Sequence, residues 1–215
     1  MTVEIKFCGL TRPADAGVAA SLGASYVGAI FAGGPRAITP ERAAELFEAA
    51  GSAARRVGVF GAEHPAEVAR AAHLAALDVV QLHGDPTADY VARLRDECGL
   101  TIWAVVRVAS GPAEERIAEL DGLADAIVLD AFAPGRLGGT GTTFDWRRAA
   151  SWTRPVHAAL VVAGGLTAHN VGEAIDCLAP DIVDVSSGVE SAPGIKDHQR
   201  MRAFVEAVRQ GADRR

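Results

Sequence analysis

The stretch Val3-Glu4-Ile5-Lys6-Phe7-Cys8-Gly9-Leu10-Thr11-Arg12-Pro13 decides the fold. Val3–Phe7 reads as a short strand, a glycine-bearing turn follows, and Pro13 opens an Ala-rich segment with helical spacing. Proline suits a first helical turn because its missing N–H would have no partner there anyway. The turn lacks G-x-G-x-x-G, which argues against a dinucleotide-binding, doubly wound sheet. The same alternation recurs down the chain. Further apolar runs lie at Tyr26–Phe31, Arg56–Phe60, Val79–Leu82, Thr101–Val106, Ala126–Leu129, Ala158–Val162 and Ile182–Val185. Helices are expected to open at Thr39-Pro40, His64-Pro65 and Asp85-Pro86.

Eight strand–helix units in 215 residues allow about 27 residues each, enough for a parallel crossover. Several runs are apolar throughout, as strands buried on both faces must be. The prediction is an α/β protein, a single (β/α)8 TIM barrel over residues 1–215, with a phosphate site after strands 7 and 8. An open doubly wound sheet is the alternative, but it rarely runs to eight regular units. Residues 210–215 read as a frayed tail.

Composition excludes whole function classes. Apolar residues make up 49% and charged residues 22%, a globular balance rather than a disordered one. The net charge of −6 offers no general footprint for nucleic acid or an anionic membrane, so neither is an expected partner. Cys8, Cys98 and Cys177 form no C-x-x-C pair, and the histidines show no metal-ligand spacing, so no metal is expected. No secretion signal is visible at Met1–Lys6 and no apolar run is long enough to span a membrane, so a cytoplasmic location is expected.

In a barrel, chemistry sits where strands end and βα loops begin. Those positions hold Cys8-Gly9, Gly33-Gly34-Pro35-Arg36, Gln81-Leu82-His83-Gly84, Arg107, Asp130, Gly164-Gly165 and Ser186-Ser187-Gly188. The glycines after strands 7 and 8 let backbone N–H groups approach a phosphate, which points to a phosphorylated small-molecule substrate. Arg36 offers a planar fork for a second anion, a carboxylate. Cys8 and Asp130 suit a base and an acid opposed across the barrel mouth. Taken alone, Cys8 reads more readily as a buried structural thiol, and Asp130 equally as a cap or turn former. Lys6 alternates to the face of Cys8 and is expected to supply the positive charge that a thiolate needs. Gly138-Gly139-Thr140-Gly141 reads as a glycine-rich loop, a candidate lid.

These residues together resemble the phosphoribosylanthranilate isomerase family of tryptophan biosynthesis. Nine segments carry the resemblance in order. They are Lys6–Thr11, Pro35-Arg36 with Thr39-Pro40-Glu41, Val57–Phe60, Val80–Gly84, Leu129-Asp130, Gly138–Gly141 with Phe144-Asp145-Trp146, Ala163–Leu166 with Asn170-Val171, Asp184–Glu190 and Pro193–Asp197. The resemblance implies an Amadori rearrangement without a cofactor. Asp130 would protonate the ribose ring oxygen, Cys8 would remove the C2 proton, and Arg36 would hold the anthranilate carboxylate. Around that catalytic pair the expected substrate-binding set is Lys6, Arg36, Gln81, His83, Gly164, Gly165, Asp184, Ser186, Ser187 and Gly188. A monomer or homodimer is expected.

Two departures stand out. Gly34 occupies a position where serine commonly precedes Pro-Arg, in a loop shorter than usual, and Thr142 stands where lysine is common. Two other readings remain open. A sister phosphosugar isomerase typically places aspartates at the ends of strands 1 and 5, where this chain has Cys8 and Arg107. A non-catalytic binding barrel has no need of both Cys8 and Asp130.

Overall fold

The computed structural model describes residues 2–108, 113–131, 143–154 and 156–214. Eight parallel strands close into a barrel in sequence order: β1 Glu4–Phe7, β2 Tyr26–Ile30, β3 Arg55–Phe60, β4 Val79–Leu82, β5 Thr101–Val108, β6 Ala126–Ala131, β7 Ala159–Val162 and β8 Ile182–Val185. Closure comes from β1 pairing with β8, with Lys6 opposite Asp184. Helices follow the strands: α1 Pro13–Ser21, α2 Pro40–Ala50, α3 Pro65–Leu74, α4 Ala88–Cys98, α5 Ala113–Leu120, α6 Trp146–Thr153, α7 Val171–Leu178 and α8 His198–Asp213. The expected (β/α)8 barrel is the observed fold.

Alternation along each strand builds two cores. Phe7 points outward and meets Phe204 of α8 edge-on at 6.3 Å. Inward residues Tyr26, Val57, Val79, Trp103, Val128 and Val161 fill the barrel itself. Lys6 and Cys8, two residues apart, also face inward. Gly28 on β2 leaves them room, because a Cβ there would stand 3.1 Å from Lys6 Cε and 3.2 Å from Cys8 Sγ.

Proline opens α1, α2 and α3 as expected, and Thr39 and His64 cap α2 and α3. The fourth helix differs. Asp85 takes a left-handed conformation (φ 52°), and α4 starts at Ala88 with Thr87 Oγ1 accepting from Tyr90 N. The cap hydroxyl, not Pro86, sets that start.

The expected frayed tail is also corrected. Gln210–Asp213 form the last turn of α8, where buried Gly211 lies against Ile175 and Gly172 of α7. Apolar contact with a neighbouring helix overrides the polar tail composition.

A small hairpin was not foreseen: β9 Glu190–Ala192 and β10 Ile195–Lys196 pair antiparallel after a 3-10 turn at Ser187–Val189. Asp15 of α1 anchors it, accepting from Lys196 N at 3.2 Å, from both Arg12 nitrogens at 2.8 Å and from His198 Nε2 at 2.8 Å. Among the described residues, no helix is long and apolar enough to cross a membrane.

Candidate active site

A cavity of about 870 Å³, counted out to its open mouth, occupies the C-terminal end of the barrel. Eleven of the twelve expected site residues line it: Cys8, Arg36, Gln81, His83, Asp130, Gly164, Gly165, Asp184, Ser186, Ser187 and Gly188. The twelfth, Lys6, is fully buried and donates to Asp184 Oδ2 at 2.6 Å and Gln81 Oε1 at 2.9 Å. The glycine-rich segment 138–141 and Thr142 lie outside the described residues.

The loops after β7 and β8 meet backbone to backbone. A Cβ on Gly188 would stand 1.9 Å from the Leu166 carbonyl oxygen, so only glycine lets the two loops touch. Gly164 (φ 81°) has the same constraint against β6: its Cβ would lie 2.3 Å from Ala131 N and 2.5 Å from Asp130 Oδ1. Asn170 braces this loop, donating to Gly165 O at 2.9 Å and accepting from Thr167 N at 2.8 Å.

Strands β5 and β6 run further than the sequence suggested, so Arg107 and Asp130 are register partners within the sheet. Arg107 donates to His83 O at 2.8 Å, and His83 Nε2 stands 3.7 Å from Asp130 Oδ2, beyond hydrogen-bond reach. Burial, aided by the Asp184 charge, pushes the Asp130 carboxyl up to about 6. Burial, with the charges of Arg107 and Lys6, pushes His83 down to about 4, so its imidazole is neutral at neutral pH.

The base side departs from expectation. Burial raises the Cys8 thiol above its ordinary value, and the Lys6 charge opposes that rise without cancelling it. Lys6 is committed to Asp184, whose own carboxylate raises the thiol further. Burial works against the Lys6 ammonium too, but Asp184 and Cys8 together more than offset it and hold Lys6 above its ordinary value. The positive charge expected for a thiolate is therefore neutralised where it stands. Asp184 Oδ1 is buried and has no hydrogen-bond partner among the described residues.

Arg36 is not free either. Its Nε and Nη2 grip the Glu190 carboxylate at 2.7 to 3.2 Å, and Lys196 Nζ shares that carboxylate at 2.8 Å. Glu190 and Lys196 are the site residues to which sequence reasoning gave no role. Glu190 lies 154 positions from Arg36, and no local spacing signals the pairing. Among the described residues, no three His, Cys, Asp or Glu side chains are grouped as metal ligands would be.

Comparison with known proteins fits this geometry. A profile of the N-(5'phosphoribosyl)anthranilate (PRA) isomerase family matches residues 5–207. The N-(5'-phosphoribosyl)anthranilate isomerase of Erythrobacter litoralis is 39% identical over 206 residues, covering 95% of this chain and 98% of the relative. The crystal structure of phosphoribosyl anthranilate isomerase from Thermotoga maritima superposes with a TM-score of 0.89 at 33% identity, over 97% of this chain and all of that one. A second structure of such an enzyme, in complex with reduced 1-(o-carboxyphenylamino)-1-deoxyribulose 5-phosphate, gives a TM-score of 0.86 at 31% identity over the same shares. The chain belongs to the N-(5'-phosphoribosyl)anthranilate isomerase family.

Proposed function

We propose that this chain converts N-(5-phosphoribosyl)anthranilate to 1-(2-carboxyphenylamino)-1-deoxyribulose 5-phosphate in tryptophan biosynthesis, with Asp130 as general acid and Cys8 as general base. It is an aldose–ketose isomerase. The observation that carries the residue roles is the shared cavity: Cys8 from β1 and Asp130 from β6 border one space between Arg36 and the two glycine loops.

The steps follow from that arrangement. Protonated Asp130 gives its proton to the furanose ring oxygen, the C1–O bond breaks, and the anthranilate nitrogen's electron pair forms the Schiff base. The Cys8 thiolate removes the C2 proton, and the C2–H electrons become the double bond of an enolamine. Reprotonation at C1 and loss of the enol proton give the ketone, with the net atom count unchanged. An acid titrating at about 6 holds a useful proton fraction near neutrality.

Binding divides along the cavity walls. Backbone amides of Gly165, Ser187 and Gly188, with the hydroxyls of Ser186 and Ser187, take the phosphate. Arg36 takes the anthranilate carboxylate with the N–H groups that Glu190 leaves free. The unpartnered Asp184 Oδ1 accepts from a ribose hydroxyl, and Gln81 and His83 border the sugar. The cytoplasm suits this work, because a base built on Cys8 needs a reduced thiol. A monomer or a homodimer satisfies the geometry, since every residue used comes from one chain.

The test is turnover of synthetic substrate in a coupled assay. Cys8→Ser and Asp130→Asn are each expected to lose at least ~10²-fold in kcat while still binding product. Near-wild-type kcat in a folded Cys8→Ser protein overturns the assignment of the base.

A further inference from the structure

We propose that Glu190 is a positioning residue that, together with Lys196, sets the Arg36 guanidinium for an aryl carboxylate; this rests on the assignment of Arg36 to that group. Arg36 leaves the barrel on a turn that packs against little. Gly33 and Gly34 have positive φ (77° and 88°), and a Cβ on either would meet none of the described residues within 4 Å. A long side chain on such a turn carries rotamer freedom that ligand binding must remove. Glu190 removes it beforehand.

The geometry is that of a clamp applied from behind. Arg36 and Glu190 are both buried, yet Arg36 lines the cavity and Glu190 does not. Glu190 Oε1 and Oε2 take the Nε–Nη2 edge at 2.9 and 2.7 Å, the bidentate contact that fixes the plane of a guanidinium. Among the described residues Nη1 has no hydrogen-bond partner, which leaves it to serve a ligand. Oε1 also accepts from Lys196 Nζ at 2.8 Å and Gly194 N at 3.3 Å. The same Lys196 Nζ donates to Ser186 O at 3.1 Å, so the clamp is tied to the loop that follows β8. A Cβ on Gly9 would stand 2.8 Å from Arg36 Cδ and 2.9 Å from Ser186 Oγ, so the two walls close over that glycine.

Charge supports the same role. Two basic side chains, Arg36 and Lys196, share one carboxylate; burial pulls the Lys196 ammonium below its ordinary value, and the Glu190 carboxylate opposes that. Burial alone would push the Glu190 carboxyl up, but its bonds to Arg36 and Lys196 hold it below its ordinary value, so it stays ionised. A neutral Gln in its place keeps the shape and loses the second acceptor oxygen. Arg36 is then free to leave the orientation that presents Nη1.

The experiment compares two probes on wild type, Glu190→Gln, Arg36→Met and the double variant. One probe is reduced 1-(o-carboxyphenylamino)-1-deoxyribulose 5-phosphate; the other is its counterpart made from aniline, without the carboxylate. Both carry the same phosphate, so any effect transmitted through Ser186 cancels in the ratio of their Kd values. Glu190→Gln is expected to lower the preference for the carboxylated probe by about tenfold, and to raise KM far more than it lowers kcat. In the Arg36→Met background the same substitution is expected to leave the ratio unchanged. Should the Gln variant fail to fold, Glu190→Asp, which keeps the charge but retracts it by one methylene, is expected to lower the ratio in the same direction. A folded Glu190 variant that keeps the wild-type preference overturns the positioning role. Wild-type protein without any preference overturns the Arg36 assignment itself.

Discussion

Two neighbouring groups in the cavity are displaced in opposite directions, and their effects on stability are expected to cancel until one is removed. Asp130 rises from an ordinary 3.8 to about 6, and His83 falls from 6.5 to about 4. Between pH 4 and 6 the folded protein holds a proton on Asp130 that the unfolded chain lacks, so this group loses stability as pH rises. Between pH 4 and 6.5 the unfolded chain holds a proton on His83 that the folded protein lacks, so this group gains stability as pH rises. At 1.36 kcal/mol per unit, each displacement amounts to about 3 kcal/mol in full, and roughly 2 kcal/mol falls between pH 4.5 and 7.5. The side chains are 16% and 18% exposed, so solvent screening removes only a part. Because the two side chains stand 3.7 Å apart, the single variants are compared with the Asp130→Asn, His83→Asn double variant to separate the two contributions. Urea unfolding across that pH range provides the assay. Asp130→Asn is expected to gain about 2 kcal/mol relative to wild type as pH rises from 4.5 to 7.5, and His83→Asn to lose about 2 kcal/mol. Parallel pH dependences for wild type and Asp130→Asn would refute the buried, raised carboxyl.

Other expectations rest on single contacts. In a Cys98→Ala, Cys177→Ala background, Cys8 is expected to ionise above the ordinary thiol value of ~8.5, measured by alkylation rate against pH. Asp184→Asn is expected to bring that midpoint down, because it removes the carboxylate that raises the thiol and releases Lys6 to act on it; an unchanged midpoint counts against this electrostatic coupling. Gly188→Ala drives a methyl into the Leu166 carbonyl 1.9 Å away, so both the loop and phosphate affinity should suffer, and inorganic phosphate inhibition weaker by at least ~10-fold is expected. Unchanged inhibition would remove these loops from the phosphate site. Arg36→Lys keeps the charge but loses the fork that Glu190 holds, and is expected to weaken product binding by about 1–3 kcal/mol in titration calorimetry.

Local pattern carried the fold further than the site. Val79–Leu82 and Ile182–Val185 were legible to the residue, because three of the four residues in each are apolar and the flanks are polar, with Gln81 and Asp184 the polar members that line the cavity. The frame of the site was legible for a related reason. A barrel turns eight strand ends into one face, so the residues just past each apolar run already include Cys8, Arg36, Asp130 and both glycine loops. Partner choice was not legible. Lys6 lies 178 positions from Asp184, and Arg36 lies 154 from Glu190, so nothing in either neighbourhood says that the charge is already spent. Residues 210–213 misled because their surroundings in sequence are polar, while one small buried residue, Gly211, holds that turn against α7.

Burial raises both members of the proposed acid–base pair, which suits Asp130 as an acid and opposes Cys8 as a base, and the surrounding charges decide how far each is moved. An acid at about 6 and a thiol above its ordinary value are, at neutral pH, mostly in the wrong forms: carboxylate and thiol. On the proposed roles the productive form, with a thiolate and a protonated carboxyl, is the minor tautomer of the same net charge. Its share is constant between the two ionisations, so activity holds a plateau there, rising near the Asp130 value and falling near that of Cys8. Widening the gap between the two values shrinks that share tenfold per unit, so charges that act on one group alone matter most. At the thiol the Lys6 charge outweighs that of Asp184, and at Asp130 the Asp184 charge outweighs that of Lys6, so this buried pair pulls the two values together. Lys196 adds to this. It lowers the thiol and is absent from the causes acting on Asp130, so it narrows the gap from the base side. The Glu190–Lys196 hairpin thus stands behind both the carboxylate clamp and the base, which gives a physical reason for a short hairpin to be anchored through Asp15 beneath the barrel mouth.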